Sequence, residues 1–308
     1  MGNERRRGKV LKARSGFAEV STAEGVVRCR LRGRLKKSRK RRSDIAVIGD
    51  EVEITVFEDG EGALEEVLPR RTKLSRRHPG PGGQHREDVL VANLDQVLCV
   101  FAFGVPAFRP RLLDRLLVVA EHNGIGPVVV ANKVDLLEEE AHREPFRVYE
   151  RIGYPVVYAS ATEGTNIDTL RERLRDRISA FAGPSGAGKS HLINAIEPGL
   201  ELDVGEVSEA VHKGRHTTRV ASLHPLSAGG WVADTPGIRE LGTWQIPPEE
   251  LGACFVEFRP YLGQCAFNDC LHHREPDCAV RAAVDRGNIT ESRYDSYLRM
   301  LTGDEERR

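Results

Sequence analysis

Apolar and polar positions alternate with a period of two through the front of the chain. Residues 9–12, 17–21 and 26–31 follow this pattern, separated by the turn pairs Ser15-Gly16 and Glu24-Gly25. Residues 44–48 and 51–57 continue it around Gly49-Asp50. Such alternation marks strands with one buried face and one wet face. About five short strands in this span predict a small closed barrel, for which the OB-fold is the natural candidate. The stretch 72–88, TKLSRRHPGPGGQHRED, interrupts the pattern and reads as a loop, because its Pro-Gly run cannot continue a helix or a central strand.

The rhythm then changes. Residues 95–103 and 126–131 are continuous apolar runs of buried-strand length, and 109–122 between them place Leu112, Leu113, Leu116, Leu117 and Ala120 at helical spacing. Residues 155–160 predict a strand, 167–177 a helix, 178–182 a further buried strand and 189–196 a further helix. Alternating strands and helices imply a parallel sheet covered on both faces. Near the end, 247–258 and 291–301 predict helices around a Cys/His-rich loop. The expected organisation is a basic barrel domain over 1–72, a linker loop over 73–88, an α/β domain over 89–245 and a small, mainly α-helical domain over 246–308.

Composition sharpens this picture in three ways. The 308 residues carry 46 Lys+Arg and 46 Asp+Glu, but residues 1–42 hold 16 of the cations and only three of the anions, a net +13. Arg28, Arg30, Arg32 and Arg34 fall on alternate positions, so an extended strand presents all four on one face. Residues 36–42 add six more cations. Such a surface tracks phosphates, which predicts contact with a nucleic acid; the plainer reading is a solubilising or targeting charge run. The longest membrane-span candidate, 112–131, is broken by Arg115, Glu121, His122 and Asn123, and the first ten residues have no apolar signal core. A cytoplasmic protein without a membrane partner is expected. Of six cysteines, Cys254, Cys265, Cys270 and Cys278 crowd into the last 55 residues beside histidines, which reads as metal binding before disulfide.

Three motifs carry nucleotide chemistry. Gly183-Pro184-Ser185-Gly186-Ala187-Gly188-Lys189-Ser190 fits G-x-x-x-x-G-K-[ST] between a predicted strand and a predicted helix. Its glycines let backbone N–H groups cradle phosphate, with Lys189 reaching the β/γ-phosphates and Ser190 ligating Mg²⁺. The backbone N–H of His191 is placed to meet the α-phosphate. Asp234-Thr235-Pro236-Gly237 follows an apolar run, where Asp234 would hold Mg²⁺ through water and the Gly237 N–H would sense the γ-phosphate. Asn132-Lys133-Val134-Asp135 ends another apolar run. Asp135 can accept from guanine N1–H and the exocyclic amine, a pairing adenine cannot make. Ser160-Ala161 would offer a backbone N–H to guanine O6. In conventional GTPases the P-loop comes first, whereas here N-K-x-D precedes it. A parallel sheet still brings these loops to one edge if old termini are joined and the chain reopened elsewhere, so a circular permutation is expected.

The basic barrel, the permuted motifs and the Cys/His-rich end together resemble the RsgA (YjeQ) family of bacterial ribosome-assembly GTPases over nearly the whole chain. The resemblance implies binding to the small ribosomal subunit and its RNA late in maturation, faster GTP hydrolysis when bound, and release. A single chain is expected to act as a monomer. Gly214-Arg215-His216-Thr217-Thr218 is similar to the family's G-R-H-T-T segment. Ile238 stands where Ras-type enzymes use a water-orienting Gln, so turnover requires another group. His216 could orient the water or act as a base, Arg215 could stabilise developing charge, and Thr217 or Thr218 could close on Mg²⁺ and the γ-phosphate. His216 reads alternatively as an RNA-touching loop residue.

Cys265-x₄-Cys270-x-His272-x₅-Cys278 offers three thiolates and one imidazole, a closed tetrahedral set for one structural Zn²⁺. The family resemblance favours His272 over His273 as the fourth ligand, and Cys254 is the spare, expected to be a buried helix residue. Two rivals from other classes are a nucleotide-gated RNA-binding module with negligible turnover and a P-loop enzyme that phosphorylates a small molecule.

Overall fold

The computed structural model describes residues 4–14, 16–32, 46–77, 87–137, 143–201, 221–235 and 246–303. Five strands open it: β1 (Glu4–Arg14), β2 (Phe17–Thr22), β3 (Gly25–Leu31), β4 (Glu51–Val56) and β5 (Gly62–Val67). They pair in the order β1-β2-β3-β5-β4 and β4 returns to β1, which closes a barrel. The β3–β5 pair is parallel and the other pairs are antiparallel. Alternate positions fill the interior with Val10, Val20, Val27, Cys29, Val52, Ile54 and Leu64.

One expected strand is replaced by another. Of 44–48, residues 46–48 lead into a turn rather than a strand, while Gly62–Val67 supplies the fifth strand. Two contacts explain the turn. The Val47 N–H donates to the Asp50 carboxylate at 2.8 Å, and Arg70 grips the same carboxylate at 2.7 and 2.9 Å. Gly49 has φ +83°, and a Cβ there would lie 2.1 Å from the Ala92 carbonyl oxygen. The stretch 72–88 is also more ordered than a loop. Lys73–Arg77 (β6) pairs antiparallel with Glu87–Ala92 (β7), and 78–86 lie outside the described residues.

The second unit is a six-stranded sheet with β8 (Gln96–Ala102), β9 (Gly126–Asn132), β10 (Val156–Ala159), β11 (Ile178–Ala182), β12 (Ser222–Pro225) and β13 (Trp231–Asp234). Its order is β10-β9-β8-β11-β13-β12, parallel except for β12. Helices α1 (Pro110–His122), α2 (Glu144–Arg151), α3 (Ile167–Leu174) and α4 (Lys189–Ile196) connect and cover it. The chain runs outward from β8 to β10 and then restarts at β11 beside β8. That central reversal is a topological switch point, where open α/β sheets bind ligands. Among the described residues the barrel adjoins the other edge through the Lys12–Ser222 pair between β1 and β12. Leu11, Ile48 and Leu74 share one apolar cluster with Val97, Leu223 and Ala233.

The third unit contains α5 (Pro248–Leu251), α6 (Ala279–Asp285) and α7 (Glu291–Thr302). The helix expected over 247–258 is shorter: α5 ends at Leu251 and a 3-10 turn follows at Gly252–Cys254. Gly252 lies against the ring of His272, where an added Cβ would sit 3.3 Å from Cδ2. Cys254 is buried and leans on the Glu250 carbonyl, as its place in an apolar core predicts. Among the described residues no helix is long and apolar enough to cross a membrane.

Candidate functional site

Four strand ends meet at one edge of the sheet: Asn132 closes β9, Ser160 follows β10, Gly183 follows β11 and Asp234 closes β13. Glycine is required twice here. Gly183 has φ +135°, and a Cβ would meet the Val100 carbonyl oxygen at 2.1 Å. Gly188 has φ +90°, and a Cβ would meet the Asn132 side-chain nitrogen at 2.3 Å. That approach is productive, because Asn132 Nδ2 donates to the Ala187 carbonyl at 2.8 Å. The N-K-x-D strand end is thereby fastened to the P-loop despite its reversed place in the chain.

The P-loop is closed on itself. Lys189 Nζ donates to the carbonyls of Gly183 at 2.9 Å and Pro184 at 2.7 Å. Ala187 is buried, Lys189 and Ser190 are half-buried, and Ser185, Gly186 and His191 are exposed. In the N-K-x-D segment, Asp135 is exposed in a 3-10 turn with half-buried Val134, and it accepts from the buried Ser160 hydroxyl at 2.5 Å. This bond orients the carboxylate, and half-buried Ala161 follows directly. Asn132 Oδ1 and Thr235 Oγ1 are buried without hydrogen-bond partners among the described residues. Buried polar atoms of this kind at a sheet edge call for a ligand or water.

One element of the site lies outside the sequence motifs. Lys133, in the left-handed conformation, donates from Nζ to the Val105 carbonyl at 2.6 Å. Pro106 lies 3.4 Å from where a Cβ on Gly186 would stand. The β8–α1 loop therefore lies against both the N-K-x-D segment and the P-loop. The available signal was positional: β8 is the central strand, and its C-terminal end must face the same edge as the other loops.

In the third unit, Cys265, Cys270, His272 and Cys278 bring one ligand atom each within 4.8 Å of one another. The Cys265 and Cys278 sulfurs are 3.9 Å apart, and His272 Nδ1 lies 3.5 and 3.4 Å from them. Tetrahedral zinc with ordinary bond lengths gives about 3.8 Å between sulfurs and about 3.6 Å between sulfur and nitrogen. The set fits one zinc ion. Burial, reinforced by the neighbouring Cys278 and Cys265 thiols, pushes the Cys270 thiol up to about 12, and burial moves His272 down, so bare thiolates are disfavoured and a divalent cation would supply the compensating charge. His273 lies outside the cluster; its N–H, with those of Leu271 and Arg274, donates to Glu275. Burial acts to raise the Glu275 pKa, but its own backbone N–H together with these donors outweighs it and holds it at about 2.

On the barrel, Arg28, Arg30 and Arg32 share an exposed face as the alternation predicts. They are not bare cations. Arg28 and Arg30 lie over the Phe17 ring at 4.7 and 5.8 Å, Arg30 pairs with Glu61, and Arg32 pairs with Glu65. Arg34 and residues 36–42 lie outside the described residues.

Two family models match the chain: the RsgA N-terminal domain over residues 7–64 and the RsgA GTPase over residues 67–244. The chain belongs to the RsgA GTPase family. It is 46% identical over 298 residues to the small ribosomal subunit biogenesis GTPase RsgA of Gemmatimonas aurantiaca, covering 95% of each protein. It is 44% identical to the protein of that name from Caldanaerobacter subterraneus, covering 97% of this chain and 95% of that one. Its structure resembles crystalline YjeQ from Thermotoga maritima with a TM-score of 0.80 and 37% identity, covering 99% of this chain and all of the other. It also resembles YloQ, described as a circularly permuted GTPase, with a TM-score of 0.77 and 33% identity, covering 99% and 96%. The permuted motif order thus belongs to a GTP-hydrolysing fold. Arg215, His216, Thr217, Thr218, Gly237 and Ile238 lie outside the described residues of this RsgA-family GTPase.

Proposed function

We propose that this GTPase acts on the small ribosomal subunit late in its maturation, hydrolysing GTP to GDP and phosphate with stimulation by the subunit. The observation that carries the nucleotide half is the bond from Asn132 to Ala187, which joins guanine selection to phosphate binding. Asp135, oriented by Ser160, would pair with guanine, Ala161 would face O6, and the 183–191 segment would hold the phosphates. In this reading Lys189 exchanges its loop carbonyls for phosphate oxygens. Ser190 and Asp234 offer the hydroxyl and carboxylate oxygens that suit Mg²⁺, which when bound neutralises phosphate charge. The Cys₃His set would hold one structural zinc ion.

The ribosomal half rests on the names of the relatives and on the cationic front of the chain, which suits ribosomal RNA. All the motifs invoked lie within one chain, which favours a monomer, and ribosome assembly favours the cytoplasm. For hydrolysis, His216 would orient water, Arg215 would offset developing charge, and Thr217 or Thr218 would close on the magnesium–phosphate group. Residue 238 is an isoleucine, so turnover would be slow until the subunit sets these groups in place.

The chain leads directly from the D-x-x-G motif into the C-terminal unit, so Mg²⁺-GTP at Gly237 would set that unit for subunit binding and hydrolysis would release it. The test is sedimentation with purified small subunits in the presence of GDP or a non-hydrolysable GTP analogue. Tighter binding with the analogue supports this reading, and equal binding would contradict it. Ile238 also favours a second reading, a nucleotide-gated RNA-binding module with negligible turnover. The variant His216→Ala separates the two, since only in an enzyme does it abolish stimulated hydrolysis while sparing GTP binding.

A further inference from the structure

The segment after Asp234 is one covalent route from the nucleotide site to the C-terminal unit. The packing contains a second. Helix α7 is two-faced. Tyr294 and Tyr297 donate from their hydroxyls to the carbonyls of His272 at 2.7 Å and Leu271 at 2.5 Å, so this face holds the metal loop. Arg293 and Ser296, on the adjoining side of the helix, reach α1. Arg293 pairs with Asp114 at 2.6 Å, and the Ser296 hydroxyl donates to the same carboxylate at 2.5 Å. Both members of the Arg293–Asp114 pair are 1% exposed.

Helix α1 presents a stripe to this unit at spacings of three and four: Arg111 to Asp295, Asp114 to Arg293, Val118 into the apolar cluster of Phe255 and Tyr297, and Glu121 to Arg259. The loop that starts α1 is the one whose Val105 carbonyl holds Lys133 and whose Pro106 abuts Gly186. Contacts are therefore continuous from the metal loop, through α7 and Asp114, to the P-loop and the N-K-x-D segment.

We propose that α7 and Asp114 couple the Cys₃His loop to guanine-nucleotide retention through α1, independently of the segment that follows Asp234. Asp114 is in this view a positioning residue. The proposal rests on the reading that the chain binds guanine nucleotides. Such coupling requires the network to shift between two arrangements, and where it does the effect on affinity is typically ~5-fold or more.

The experiment measures release of a fluorescent GDP analogue from full-length protein, with zinc content determined by atomic absorption. Asp114→Asn is expected to speed release ~5-fold. The double variant Tyr294→Phe/Tyr297→Phe, which keeps the rings and removes both bonds to the metal loop, is expected to act similarly while retaining zinc. All three changes together are expected to do no more than the larger effect alone, because they break one chain of contacts. Removal of the exposed Arg111–Asp295 pair is expected to leave release unchanged. If Asp114→Asn does not fold, Ser296→Ala removes one hydroxyl from the same carboxylate and is expected to move release in the same direction. Release within twofold of wild type in zinc-loaded variants, or effects that multiply, would overturn the inference while leaving the GTPase reading intact. Failure of the wild-type chain to bind GDP would overturn both.

Discussion

Asn132 crosses from the end of β9 to the P-loop and donates to the carbonyl of Ala187 at 2.8 Å. Fifty-five residues of chain separate the two, and the bond puts the N-K-x-D and P-loop segments in fixed relation. Replacing Asn132 with Ala removes the donor and leaves a buried carbonyl unpaired, a loss of about 1–3 kcal/mol. Part of that cost falls on the free protein as well, so guanine-nucleotide affinity should fall by at most roughly 150-fold, measured by titration with a fluorescent nucleotide. Unchanged affinity would mean that the two segments are aligned by other contacts.

Asp135 receives the Ser160 hydroxyl and faces solvent, as a base-reading carboxylate should. Asp135→Asn places an amide where two guanine donors arrive, so GTP binding should drop by at least tenfold, about 1.4 kcal/mol. Xanthosine triphosphate, which carries a carbonyl in place of the exocyclic amine, should bind better than GTP to this variant. Competition titration with the two nucleotides checks the reversal.

Zinc binding should release protons. Burial holds the Cys270 thiol up near 12 and His272 low, so at neutral pH that thiol is protonated and the imidazole is neutral. Ligand thiols must lose their protons to bind, so zinc affinity should weaken as pH falls. Calorimetry in buffers of different ionisation enthalpy reads the proton count. Cys278→Ser should reduce zinc well below one ion per chain and lower thermal stability together.

Glu275 braces the metal loop through the N–H groups of Leu271, His273 and Arg274. Its folded pKa is depressed from 4.5 to about 2. A depressed carboxylate stabilises the fold above its unfolded pKa, and that contribution is lost as pH falls from about 4.5 towards 2. Glu275→Gln should therefore move acid release of zinc to higher pH, followed with a chromogenic zinc indicator. An unmoved midpoint would mean that the loop keeps its shape without the charge.

Arg293 is held between Asp114 and Glu257, both at 2.6 Å. Burial opposes its charge, yet the two carboxylates outweigh burial and raise its pKa above the ordinary value. Arg293→Met would strand two buried carboxylates, and breaking buried pairs in this way costs about 3–5 kcal/mol. Chemical denaturation of the zinc-loaded protein should register that loss.

Much of the site was readable because nucleotide chemistry is written locally. The turn from Gly183 to Ser190 needs its glycines within eight residues, and Asn132 to Asp135 needs four. The candidate C-terminal metal set was also local, from Cys265 to Cys278, and only the choice of His272 over His273 needed the family resemblance. What stayed hidden is non-local. Glu65 and Glu66 obscure the strand Gly62–Val67, whose closure of the barrel depends on partners in β3 and β4. The Pro-Gly run at 78–83 masked a hairpin that pairs on either side of it. Arg293 and Asp114 read as surface charges, since a sequence does not say that two helices 179 residues apart bury them together. Val105 contributes a backbone carbonyl, which no residue type announces.

The central claim is a GTPase whose turnover depends on the small ribosomal subunit, and it is tested most directly by GTP hydrolysis with the purified chain alone, with small subunits and with large subunits. Slow hydrolysis alone and strong stimulation by small subunits only is the predicted result. Intact GTP binding with no stimulation by either subunit would contradict it.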